Sequence, residues 1–239
     1  MTKLVKIYEE LSQVLGKMKF KAPVTHVYNP IEYARGPHNS YLKKFGKGPK
    51  RYLWLGMNPG PFGMSQTGVP FGDVAMVQDY LQIKGRVGQP SPMHEKRPIL
   101  GFKCSRSEVS GTRLWGFIHE YFGEAEEFFK EHIIINYCPL VFLEETGKNR
   151  TPDKLAKNER ARLEKACDAA LNQTVKLLQP EMIIGVGKWA EKRAKVALDD
   201  FSGDIVSVLH PSPASPIANR GFAPILTQQL HELGLKPLA

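Results

Sequence analysis

Apolar residues recur along this chain in two rhythms, short unbroken runs and a spacing of three to four, and their alternation predicts the elements. Leu4, Tyr8, Leu11, Leu15 and Met18 line one side of a helix over residues 2 to about 20. Four short runs, 52–56, 132–136, 182–186 and 205–209, read as buried strands. Helical spacing recurs over 74–83, over a segment capped by Ser110 or Thr112 and running to Tyr121, and over 188–198. The clearest helix start is Thr151-Pro152, an N-cap followed by proline. Its apolar face of Leu163, Cys167, Ala170, Leu171, Thr174 and Leu178 ends before Pro180. Residues 21–50, punctuated by Pro23, Pro30, Pro37 and Pro49, are expected to be irregular.

Short strands alternating with helices imply an α/β fold of parallel units with right-handed crossovers and helices on both faces of the sheet. In such sheets ligands bind beyond the carboxyl ends of the strands. Those ends carry Asn58, Asn136, the turn Gly185-Val186-Gly187 and His210, which are far apart in the chain and converge on one side of the sheet.

Two stiff loops flank this edge. From Gly56 to Asp73 there are five Gly and three Pro in eighteen residues, expected to form neither helix nor strand but a rigid loop of definite shape. It carries one amide, Asn58, and two aromatics, Phe62 and Phe71. A hydrogen-bonding group beside flat apolar faces suits recognition of a planar heterocycle. The second loop, His210-Pro-Ser-Pro-Ala-Ser-Pro216, alternates proline with hydroxyl groups that can reach phosphates. Ser215-Pro216 suits the start of a short helix.

Charge narrows the partner. The 239 residues hold 33 Lys plus Arg against 24 Asp plus Glu, a formal charge of +9, so a polyanion is the favoured partner class. Seven basic residues against two acidic ones fall between Lys84 and Arg113, as in a loop region lying on phosphates. The length suits one domain, 1–239. No run is long enough to span a membrane, and the acidic amino-terminal segment is unlike a signal peptide, so an intracellular, soluble protein is expected. Cys104, Cys138 and Cys167 lack disulfide or metal-site spacing and read as buried thiols in a reducing compartment. A non-catalytic DNA-binding protein and a nucleotide-binding protein built on Gly185-Val-Gly187 are competing readings. No Walker sequence supports the latter.

The motifs Gly56-Met-Asn-Pro-Gly-Pro-Phe-Gly-Met64 with Gly68-Val-Pro-Phe-Gly72, Asn136 before Tyr-Cys-Pro-Leu, and His210-Pro-Ser-Pro with Asn219-Arg-Gly are similar in order and spacing to those of the uracil-DNA glycosylase superfamily. Within it the chain resembles the single-strand-selective monofunctional enzymes. The resemblance implies a single three-layer domain with a central four-stranded parallel sheet flanked by helices. It also implies hydrolysis of the N-glycosidic bond of deoxyuridine in DNA, without metal, cofactor or strand cleavage. By the same resemblance Phe71 stacks on an extruded uracil, Asn136 pairs with its O4 and N3 edge, Asn58 handles the attacking water and His210 donates to O2. One such preorganised donor is worth about 3–4 kcal/mol.

Met57, Gly60, Met64 and Ser65 bear on base range. Gly60 leaves room at C5 for 5-hydroxymethyluracil, and Ser65, where Ala is more usual, adds a hydroxyl expected near the pocket that extends the range towards xanthine. Pro59, Pro61, Pro211, Ser212, Pro213, Ser215, Lys84, Arg86 and Arg97 are the expected contacts to single- and double-stranded DNA. The chain is expected to act as a monomer, in the nucleoid or nucleus according to source. Animal members carry an Arg wedge where this chain has Ala214, which shifts that role elsewhere, with the 84–106 loop as one candidate.

Overall fold

The computed structural model describes residues 2 to 237. The elements run α1 (Lys3–Gly16), β1 (Val24–Tyr28), α2 (Pro30–Tyr33), α3 (Arg35–Phe45), β2 (Tyr52–Gly56), α4 (Met64–Thr67), α5 (Val109–Phe122), α6 (Ala125–Glu131) and β3 (His132–Asn136). They continue with β4 (Val141–Glu144), β5 (Asn149–Arg150), α7 (Lys157–Leu178), β6 (Met182–Val186), α8 (Lys188–Ala197), β7 (Asp204–Val208) and α9 (Pro216–Glu232).

The four expected strands form one parallel sheet in the order β3-β2-β6-β7. Every residue of β2 and β3 is buried, as unbroken apolar runs require when helices cover both faces. Gly56 pairs with Asn136, Leu55 with Gly185 and Val186 with Val208, so the chain leaves β2, β3, β6 and β7 along one edge. That shared register brings the two stiff loops together. Trp54 and Trp115 both pack on Phe128 in the buried core.

Several expectations need correction. Residues 21–50 are ordered as β1, α2 and α3, and β1 joins β4 and β5 in a second, antiparallel sheet of three strands. Pro30 opens α2 at its first position and Pro37 lies in the first turn of α3, where a missing N–H is tolerated. The prolines there start helices instead of marking a loop.

The glycine-rich loop is not wholly irregular, because α4 forms inside it and ends at Gly68, whose φ is 73°. Residues 76–80 make one π-helical turn in place of the helix expected over 74–83. Thr151-Pro152 starts only a 3-10 turn, and α7 begins at Lys157. The helix after Ser215 is long, with its backbone broken at Gly221. All three cysteines are free and buried.

Two histidines are buried in their neutral form. His38 donates Nδ1–H to the Gly68 carbonyl (2.8 Å), and burial lowers its pKa from 6.5 to about 4. His132 accepts from Trp54 Nε1–H on Nδ1 (3.0 Å) and stacks on Phe128. Burial, with Lys50 and Arg51 nearby, brings it to about 3. Between pH 6.5 and about 4 these two histidines alone let the unfolded chain bind up to two more protons than the folded one, so their part of the stability falls as pH falls. Each histidine contributes at most about 1.4 kcal/mol per pH unit. Urea midpoints measured from pH 7 to 4.5 should decline steadily, and His38→Asn should make that decline shallower.

Candidate active site

The first loop is shaped by what its glycines admit. A Cβ on Gly56 would lie 2.2 Å from Asn136 Oδ1 and 2.8 Å from the Phe71 ring, so only glycine there lets the amide and the aromatic meet. Phe71 itself has φ 52°, a left-handed conformation that costs a non-glycine residue about 1–3 kcal/mol. The turn is fixed by the Gly72 N–H on the Val69 carbonyl (2.9 Å) and the Asp73 N–H on the Phe71 carbonyl (2.8 Å).

A cleft of about 380 Å³ opens at the sheet edge and gathers Asn58, Phe71, Asn136 and His210, with Met57, Gly60 and Met64. Asn136 is 5% exposed; its Nδ2 lies 3.2 Å from Met64 Sδ, and its Oδ1 is buried without a partner. Asn58 donates Nδ2–H to the Leu140 carbonyl (3.2 Å), leaving Oδ1 as an acceptor. His210 Nδ1 accepts the Ser212 N–H (3.0 Å), so the ring hydrogen resides on Nε2. Burial lowers the His210 pKa, which keeps the ring neutral at pH 7. The Phe71 and His210 rings are 6.3 Å apart. Together these groups offer a flat apolar face, an unpaired acceptor and a fixed N–H donor, the complement of a planar base with alternating donor and acceptor edges.

Other expected residues are placed as follows. Pro59 and Ser212 line the cleft. Ser65 does not. It is fully buried and donates its hydroxyl to the Gly60 carbonyl (2.7 Å), so it touches the cleft only through that backbone. Pro61 turns its carbonyl to Gln66, Pro213 its carbonyl to Asn219, and Ser215 caps α9. Arg97 and Arg106 sit over the Phe62 ring at 5.5 and 3.9 Å, so the basic loop meets the first motif at Phe62, outside the cleft. Lys84 and Arg86 are exposed and do not line the cleft; the Arg86 backbone runs beside Gly36. Gly187 packs against His210: a Cβ there would come within 3.1 Å of the His210 Cβ.

Sequence reasoning missed Glu108, Ser110, Asn149 and Thr151 as cleft walls. Asn149 donates Nδ2–H to the Pro59 carbonyl (3.1 Å). Glu108 replaces Ser110 and Thr112 as the cap of α5, because its two carboxylate oxygens accept both the Ser110 N–H (3.1 Å) and the Gly111 N–H (2.7 Å). Burial raises the Glu108 pKa, and those amides oppose the rise. Its place just before an apolar helical stripe was the available signal.

The first two turns of α5 hold both loops. A Cβ on Gly111 would lie 2.0 Å from the Phe71 carbonyl oxygen, and Trp115 Nε1–H donates to the Pro70 carbonyl (3.2 Å). Arg113 donates to the Pro211 carbonyl (3.1 Å) and to Asn219 Oδ1 (2.9 Å), and Asn219 in turn donates to Pro213. Arg113→Met keeps the aliphatic stem and removes these donors. Hydrogen exchange should then quicken by about tenfold or more at the Ser212, Ala214 and Ser215 amides, as local opening becomes easier. The sheet amides should keep their protection.

Residues 43–229 match the family model of the Uracil DNA glycosylase superfamily. The chain is 47% identical over 230 residues to the single-strand selective monofunctional uracil DNA glycosylase of Bos taurus, across 95% of this chain and 85% of that one. It is equally similar, at 47% over 230 residues, to the Rattus norvegicus protein of that name, across 95% and 83% of the two chains. The crystal structure of wild-type Pedobacter heparinus SMUG2 is alike in fold, with a TM-score of 0.72 over 98% of each chain at 20% identity. With a family model covering most of its length and relatives nearly half identical across it, this chain belongs to the uracil-DNA glycosylase superfamily.

Proposed function

We propose that this chain hydrolyses the N-glycosidic bond of deoxyuridine in DNA, leaving an abasic site for base-excision repair. The observation that carries the reading is the buried, unpaired Oδ1 of Asn136 on the cleft wall that also holds Phe71 and His210. A buried acceptor without a partner loses free energy until a ligand satisfies it. The N3–H of an extruded uracil does so, while Nδ2 turns from Met64 sulfur to O4. Cytosine has an acceptor at N3 and a donor at N4, so it leaves both amide groups facing like partners and is rejected.

As the bond to the sugar lengthens, electrons pass to the base and negative charge grows on O2. His210, neutral and with its hydrogen on Nε2, donates a hydrogen bond there and transfers no proton. Asn58 is too weak a base to take a proton from water. Its Oδ1 orients a water molecule that captures the oxocarbenium-like sugar once the base has left and then gives its proton to solvent. Phe71 stacks on the base, as enzymes that act on extruded bases require.

Gly60 leaves space beside C5, which admits 5-hydroxymethyluracil, and Ser65 bears on a range reaching xanthine only through the Gly60 carbonyl. The chain works inside the cell as a monomer and as one domain over its whole length. Among the described residues no helix is long and apolar enough to cross a membrane. Single- and double-stranded DNA both serve, through the loops 59–61 and 211–215 and the exposed cations Lys84 and Arg86 with Arg97 beside Phe62. The Ala214 methyl is too small to fill the gap left in a duplex, which favours single strands; exposed Ile217, in the first turn of α9, is an apolar group that can wedge there.

Alkali-revealed abasic sites in uracil-containing oligonucleotides test the reading. Wild-type protein should cut these and spare cytosine, His210→Ala should lose about 100- to 1,000-fold in single-turnover rate, and Asn58→Ala should also fall sharply. Because His210 titrates below its ordinary range, the rate should be level from pH 7 to 9. It should decline only at pH values below the ordinary histidine range, as protonation of Nδ1 breaks the bond from Ser212. Full activity of the Asn58→Ala protein would remove the role given to that amide.

A further inference from the structure

The space that Gly60 opens is bounded by a carboxylate. A Cβ on Gly60 would lie 3.8 Å from the carboxyl carbon and Oε1 of Glu108, and one on Gly63 would lie 2.9 Å from its Cγ. Gly63 thus admits the Glu108 side chain, Gly60 lies in contact distance of its carboxyl group, and Glu108 lines the cleft. The bonds from the Ser110 and Gly111 amides hold each oxygen in place. A carboxylate has about four acceptor sites, so both oxygens retain capacity.

In the pose proposed above His210 meets O2 and Asn136 meets N3 and O4, while C5 lies beside Gly60. Met64, whose sulfur lies 3.2 Å from Asn136 Nδ2, lines the same cleft as Gly60 and Glu108. A substituent on C5 directed at Gly60 therefore comes up against the Glu108 carboxylate beside it.

Resting on the uracil pose proposed above, we infer that Glu108 selects the 5-substituent: its carboxylate accepts a hydrogen bond from a neutral donor such as hydroxymethyl and repels an anionic group such as carboxyl. A methyl group in the same place desolvates the carboxylate and returns no bond. The glycine therefore supplies room and the glutamate supplies selection.

The test uses single-stranded oligonucleotides carrying uracil, 5-hydroxymethyluracil or 5-carboxyuracil, with each modified base read as a ratio to uracil. In Glu108→Gln the hydroxymethyl-to-uracil ratio should fall about tenfold, because a bond to a charged acceptor becomes one to a neutral amide. The carboxyl-to-uracil ratio should rise by a similar factor. Glu108→Asp keeps the charge and the helix cap but withdraws the oxygens by one methylene. It should lower the first ratio and leave the second low.

Loss of the cap alone would slow all three substrates in proportion and leave both ratios unchanged, which would overturn the inference. So would wild-type protein that removes uracil but not 5-hydroxymethyluracil. Wild-type protein that removes no uracil would instead refute the glycosylase reading itself.

Discussion

The site depends on one steric constraint: the amino-terminal turns of α5 lie so close to the first motif that the Phe71 backbone and Gly111 leave no room for a methyl group between them. From that contact the helix reaches in two directions. Trp115 ties Pro70, while Arg113 ties Pro211 and Asn219. Asp73 adds a third tie, since its Oδ2 accepts the Glu108 N–H (2.8 Å) and the Ser107 hydroxyl (3.1 Å). Loops that belong to different strands, far apart in the chain, are therefore positioned by a single rigid element. A base-sized slot needs tolerances below an ångström, which separate loops could not hold by themselves.

Holding that slot open requires local conformations that folding alone would not favour. Phe71 sits at positive φ and Asn136 keeps an unpaired oxygen in a buried setting. Such features persist only where the surroundings over-determine them. Here the surroundings are the fully buried β2 and β3 and the buried Trp115, which donates to the Pro70 carbonyl and packs on the aromatic core through Phe128. The instability is concentrated where the ligand can relieve it.

The parallel sheet was legible because strands buried on both faces must be continuously apolar, as Tyr52-Leu-Trp-Leu and His132-Ile-Ile-Ile are. Asn58, Asn136 and His210 were legible for the related reason that each stands at or just beyond such a run. The antiparallel sheet was not. Val24-Thr-His-Val-Tyr is short, half exposed and bracketed by prolines, and it becomes a strand only through its long-range pairing with Val141–Glu144. Glu108 was hidden too, because its place in the cleft depends on the missing side chain of Gly63, more than forty residues away. Ser65 failed in the opposite direction: proximity in sequence to the motif suggested contact with the base, but α4 turns its hydroxyl onto the backbone behind.

The distribution of charge in the cleft bears on how the proposed reaction divides its burden. Position 58 carries an amide and not a carboxylate that could stabilise positive charge developing on the sugar, and Glu108, the carboxylate that does line the cleft, is held by α5 amides. Stabilisation must therefore act mainly on the departing base, through the neutral imidazole at O2 and the amide at O4. A neutral donor suits that task because it is already oriented by Ser212 and needs no proton to be supplied. Glu108 faces the departing anion with each of its oxygens already engaged by an α5 amide, which offsets part of its charge. In the proposed pose the wall that holds this fixed negative charge is the wall that meets C5.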